Sequence, residues 1–161
     1  MIVVADTSPL NYLIQIELDI LLPRLYGQII VPPAVLKELL HPAAPAIVRA
    51  WSSSLPAWIQ SPPVISQPDE DLADLGPGEQ QAIQISSQLG AGLLLIDERK
   101  GRTAAIRRGL QTTGTLGVLL SAARLGWIDA EQAYRRLLAE TTFRTSVGLE
   151  EKFLAGIHSQ S

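Results

Sequence analysis

Four acidic side chains could do chemistry in this sequence: Asp6, Glu38, Glu79 and Asp97. Asp6 and Asp97 each follow directly on an apolar run, residues 1–5 and 93–96, and such runs read as buried strands. A carboxylate at the mouth of a buried strand is costly unless a cation or hydrogen bonds meet it. Open α/β sheets bind their ligands at that same edge. Parallel strands would therefore bring Asp6 and Asp97 to one place. Glu38 stands on a short helical stretch among Ala34, Val35 and Leu39, and Glu79 opens a helix just after Gly78. Three of these acids also have a plainer reading. Asp6, followed by Thr7 and Ser8, is a good helix cap. Glu38 suits a solvent rim, and Glu79 suits the positive end of a helix dipole.

Taken as a set, the four carboxylates select a hard cation. Oxygen ligands without nearby histidine or cysteine favour Mg²⁺ or Mn²⁺ over Zn²⁺ or Cu²⁺. Carboxylate-held Mg²⁺ activates water and neutralises phosphate charge, which is phosphoryl chemistry. Arg99, Lys100, Arg102, Arg107 and Arg108 follow Asp97 at once. Guanidinium forks grip phosphates in pairs of hydrogen bonds, so this run is a candidate track for a nucleic-acid backbone. Its plainer reading is a solvated helix face. Ser8 is placed with the substrate-binding residues. Neither Thr7 nor Ser8 has a base beside it in sequence, which argues against a serine nucleophile.

The rest of the composition narrows the field. The chain has 161 residues, 47% hydrophobic and 18% charged, enough for one domain with a sizeable core. Cysteine is absent, which excludes disulfides, zinc fingers and thiol catalysis. Aromatic residues are only 5%, so readout by base stacking is not expected; Trp51, Trp58 and Trp127 read as core. His41 and His158 receive no role. The net charge of −3 conceals an acidic part, residues 1–98 with three basic and eleven acidic residues, and a basic part, residues 99–161 with ten and five. That asymmetry fits a cation site beside an anion-binding surface. No apolar run reaches membrane-spanning length and no basic segment precedes the opening run, so a cytoplasmic location is expected.

The elements that must position these groups follow from periodicity. Residues 10–22 read as one helix, with a break near Asp19 and a stop before Pro23. A β-branched strand is expected at 28–31, with Pro33 opening a helix over 34–40 and another over 46–53. Prolines at 56, 62, 63 and 68 predict an edge strand or an extended connection. Helices are expected at 79–89, 103–110, 116–125 and 129–140, a brief strand at 111–115, and a last helix at about 143–157 before a disordered end, 158–161. Strands alternating with helices give an α/β domain spanning 1–161, with a mostly parallel sheet covered by helices on both faces.

In this order the motifs resemble the PIN domain, a compact metal-dependent ribonuclease fold. Val4-Ala5-Asp6-Thr7-Ser8-Pro9-Leu10 is similar to its opening strand and first acid. Val31-Pro32-Pro33-Ala34-Val35-Leu36-Lys37-Glu38 is similar to its second strand, proline entry and helix glutamate. Gly78-Glu79-Gln80-Gln81-Ala82-Ile83 and Leu95-Ile96-Asp97-Glu98-Arg99-Lys100-Gly101-Arg102 are similar to its third and fourth acidic positions. The likeness extends to Gly114-Thr115-Leu116-Gly117 and Phe143-Arg144-Thr145-Ser146, as in a prokaryotic branch close to VapC-type toxins. It implies a Mg²⁺- or Mn²⁺-dependent endoribonuclease with all four acids as metal-binding and catalytic residues, RNA as substrate and a small antitoxin as inhibitor. Many such toxins carry aspartate where Glu79 stands, and Glu98 is an alternative ligand. Two further readings accompany it. One is a catalytically silent RNA- or protein-binding module of the same fold; the other is a homodimer packed through the apolar helices 10–22 and 34–40.

Overall fold

The computed structural model describes residues 1–65 and 67–159. Ser66, Gln160 and Ser161 lie outside the described residues, and with them the last two positions of the expected disordered end. The sheet is built on two short apolar strands. β1 (Val3–Ala5) and β4 (Leu93–Leu95) pair in parallel, Val3 opposite Leu93 and Ala5 opposite Leu95. Neither alternates with polar residues, because both faces are covered. Val3, Ala5 and Leu95 pack with Leu10, Leu13, Val118 and Leu119 on one face. Val4, Leu94 and Ile96 pack with Ile83, Ile85 and Ala105 on the other.

Three two-residue strands complete the sheet: β2 (Ile29–Ile30), β3 (Ile59–Gln60) and β5 (Thr112–Thr113). All pairings are parallel and the order is β3-β2-β1-β4-β5. The proline-flanked strand β3 is an edge strand, as proline content requires. From β1 the chain builds outward to one side through β2 and β3, then returns to add β4 and β5 on the other. That reversal opens a crevice at the carboxyl ends of β1 and β4. Asp6 directly follows β1, its backbone N–H bonded to the Leu95 carbonyl at 2.9 Å. Asp97 lies two residues beyond the end of β4.

Nine α-helices are found among the described residues: α1 (Thr7–Gln15), α2 (Leu21–Tyr26), α3 (Pro33–Leu39), α4 (Ala46–Ser53), α5 (Pro77–Leu89), α6 (Arg99–Arg107), α7 (Thr115–Arg124), α8 (Ala130–Glu140) and α9 (Val147–His158). None is long and apolar enough to cross a membrane. Several depart from periodicity. The single helix expected over 10–22 is two helices. The chain leaves α1 through Glu17 at φ 58, a left-handed turn, and re-enters at Leu21. Pro23 does not stop α2 but sits in its first turn, where no backbone N–H is needed. Proline 9 is accommodated in α1 in the same way. Helix α6 begins at Arg99, four residues before the expected 103, and ends at Arg107. The last helix starts at Val147, and His158 belongs to it.

The apolar residues of α1 and α2 turn inward. Leu10, Leu13, Ile14, Leu21 and Leu22 are all buried, so this stretch offers a second copy only the exposed Ile20. The expected dimer face over 10–22 is therefore core, because an amphipathic pattern reports that a face is buried and not what buries it.

Candidate metal centre and basic groove

Asp6 is 3% exposed and occupies the N-cap position of α1, yet its side chain makes no capping hydrogen bond. Its Oδ1 is buried without any partner. The capping role open to this residue in sequence is thus not taken up. Burial foremost pushes its carboxyl from the ordinary 3.8 up to about 7; the Thr7 backbone N–H opposes the rise, while Glu79, Glu38 and Asp97 add to it. The charges of the other three acids are thus all felt at Asp6.

The others reach it by different routes. Helix α5 starts at Pro77 behind Gly76, the proline supplying a preset first turn. Glu79 Oε1 accepts from the Gly76 N–H at 3.4 Å, half of a capping box, while its Oε2 is buried and unpartnered. Burial foremost, and then the neighbouring Glu98 carboxyl, hold the Glu79 carboxyl above the usual range; the Gly76 N–H opposes this and Glu38 adds to it. Glu98 is exposed at the head of α6. Glu38 is anchored on both oxygens: Oε1 accepts from the Gly78 N–H at 3.0 Å and Oε2 from the Thr7 hydroxyl. It thereby ties α3 to the heads of α1 and α5.

Asp97 is held most firmly. Its Oδ1 accepts from the Thr115 N–H and its Oδ2 from the Thr115 hydroxyl, both at 2.7 Å. Thr115 is the first residue of α7 and fully buried. Burial raises the Asp97 carboxyl, against the two Thr115 bonds and the charge of Arg102. Thr115 stands in the Gly114–Gly117 motif, but its role towards Asp97 escaped sequence reading because the two are 18 residues apart. Thr115→Val keeps the shape and removes one donor, so it should lower stability by about 1–3 kcal/mol at neutral pH. Because the Asp97 carboxyl is already raised, the loss should shrink as acid protonates it. Urea unfolding at pH 7 and pH 4 checks this; equal losses at both would detach Thr115 from the charge of Asp97.

Among the described residues, no group of three or more His, Cys, Asp or Glu side chains stands close enough together to hold a metal ion. Unneutralised carboxylates repel, and here the two anchored acids are held by N–H and hydroxyl donors. The donor set nevertheless fits a hard cation. It is all oxygen, and Asp6 and Glu79 each direct a buried, unpartnered oxygen.

Beside Asp97 runs a groove of about 910 Å³. Asp97 and Ser8 line it near the sheet, and Arg99, Arg102, Arg144 and Lys152 supply its charge. Of the basic run predicted from sequence, Arg99 and Arg102 face this groove. Lys100 is exposed outside its lining. Arg107 and Arg108 are at the far end of α6, roughly 12 Å along its axis at about 1.5 Å per residue. Arg108 is ion-paired with Asp69. Arg144 and Lys152 were missed as site residues because the segment carrying them folds back from about fifty residues downstream; the Phe143–Ser146 motif was the available signal.

A family model described as a PIN domain matches residues 2–159. No curated protein and no solved structure matches the chain.

Proposed function

The chain belongs to the PIN-domain family, whose members are generally nucleases, and from that premise we propose that it is a Mg²⁺- or Mn²⁺-dependent endoribonuclease, the toxin of a toxin–antitoxin pair. The observation that carries the metal site is the partnerless Oδ1 of buried Asp6, at the strand crevice. Asp6 and Glu79 would hold the ion through their free oxygens, with Asp97 and Glu38 completing the set. A divalent ion there would supply Lewis acidity, making water nucleophilic and neutralising charge on the scissile phosphate. Asp6 holds its proton to near pH 7 in the metal-free protein and must release it as the site loads. Thr115 keeps the Asp97 carboxylate from rotating away. Arg99, Arg102, Arg144 and Lys152 bind the RNA backbone as it passes the acids. Ser8 lies on the groove wall. A small antitoxin chain is the inhibitor in this reading, and a homodimer would use exposed Leu40 and Ile47.

The separation of the acids favours a second reading, a silent RNA-binding module of the same fold. One assay separates the two. Single-stranded RNA should be cut in Mn²⁺ and left intact in EDTA. Arg102→Gln and Arg144→Gln should weaken RNA binding, and each should lower the salt dependence of log K by about 0.7. Intact RNA in Mn²⁺, with binding that still depends on both arginines, would establish the silent module instead.

A further inference from the structure

Helix α6 carries a glycine, Gly101, in its first turn, where alanine would be favoured by about 1 kcal/mol. No backbone requirement explains it: Gly101 is not among the residues with positive φ. The space explains it. A Cβ built on Gly101 would fall 2.6 Å from Glu79 Oε2 and 2.6 Å from Ile96 Cδ1. Contacts that close force something to move. The oxygen in question is the one that Glu79 buries without a hydrogen-bond partner.

We propose that Gly101 is a positioning residue for Glu79: the absent side chain at 101 admits the longer acid at 79 and lets its free oxygen reach the metal centre. This rests on the metal-site reading above. It also accounts for how a glutamate can serve where the shorter aspartate would reach less far into α6. A Cβ built on Gly78 would likewise fall 2.6 Å from Glu38 Oε2, and one built on Gly114 would fall 2.6 Å from Asp97 Oδ1. Those two acids, however, are fastened by hydrogen bonds, whereas Glu79 Oε2 has only the space.

The experiment compares the full-length wild type with Gly101→Ala, Glu79→Asp and two double variants, Gly101→Ala/Glu79→Asp and Gly101→Ala/Ile96→Val. Each is unfolded in urea without metal and titrated with Mn²⁺ alone. Gly101→Ala should weaken Mn²⁺ binding about 10- to 100-fold, the range for residues that orient ligands. Shortening the acid should return the Gly101→Ala background to the affinity of Glu79→Asp by itself, and Ile96→Val should not. In metal-free unfolding, positions 79 and 101 should be non-additive, as contacting residues are. Wild-type Mn²⁺ affinity in Gly101→Ala, or restoration by Ile96→Val, would overturn the proposal. If Gly101→Ala does not fold alone, the double variants decide: recovery with Glu79→Asp supports it and recovery only with Ile96→Val overturns it. A wild type indifferent to Mn²⁺ would sink the metal reading instead; non-additive metal-free unfolding would still support the steric role of Gly101, and additive unfolding would overturn it.

Discussion

Asp6→Asn should abolish RNA cleavage while making the metal-free protein more stable at neutral pH. The two effects have one origin. Asp6 is 3% exposed and one of its oxygens is unpartnered, so its charge is disfavoured in the folded chain. Its pKa rises from 3.8 in the ordinary carboxyl to about 7. Each tenfold change in acidity is worth about 1.4 kcal/mol, which puts the destabilisation by ionised Asp6 on the order of 4 kcal/mol. The sign follows from linkage. The raised pKa favours folding fully below pH 3.8, and that advantage is lost as pH climbs through about 7. Stability of the metal-free wild type should therefore fall across this interval, and Asp6→Asn should remove most of the fall. Without the carboxylate the site also loses a ligand that no neighbour replaces, so cleavage should drop by at least a thousandfold. Urea unfolding in EDTA from pH 4 to 8, beside a cleavage assay, measures both. A variant that cuts RNA at the wild-type rate, or is less stable than wild type at pH 8, would show that Asp6 is structural.

Millimolar Mn²⁺ should raise the thermal midpoint of the wild type by about 5–10 °C and leave Asp6→Asn almost unchanged. A ligand bound only by the folded chain at a hundred times its Kd adds about 2.7 kcal/mol. For a domain of this length each kcal/mol moves the midpoint by about 2–4 °C. The increment should be larger at pH 8 than at pH 5, since Asp6 retains its proton at the lower pH and cation and proton compete for the same oxygens. Melting curves at both pH values, with Mn²⁺ or EDTA, provide the check. An increment of equal size in Asp6→Asn would place the cation elsewhere on the molecule, and no increment in the wild type would favour the silent module.

Much of this arrangement was legible in the chain. The apolar runs at 1–5 and 93–96 became β1 and β4, because a strand buried on both faces leaves a local trace, continuous apolar residues ended by a polar one. The prolines around Ile59 announced an edge strand for an equally local reason: they lack the N–H that an interior strand needs. The α1–α2 break was only half legible, since the left-handed turn at Glu17 lacks the glycine that usually marks one. The early start of α6 was hidden because its first residues, Arg99, Lys100, Gly101 and Arg102, carry no apolar periodicity.

Chain order and the apolar runs alone put Asp6 and Asp97 at one edge of the sheet. Strand parity, chain order and the preference for right-handed crossovers leave few ways to join two acid-tipped strands. Only the tertiary structure decided what each acid does once there. Glu38 is fastened by groups 31 and 40 residues distant, and Asp97 by one 18 residues distant, while Asp6 and Glu79 keep free oxygens. Arg108 joined Asp69, and Arg144 and Lys152 joined the groove. Periodicity and capping preferences are local properties of the chain, whereas a carboxylate's partners, burial and proton affinity depend on atoms that only folding brings within hydrogen-bonding distance.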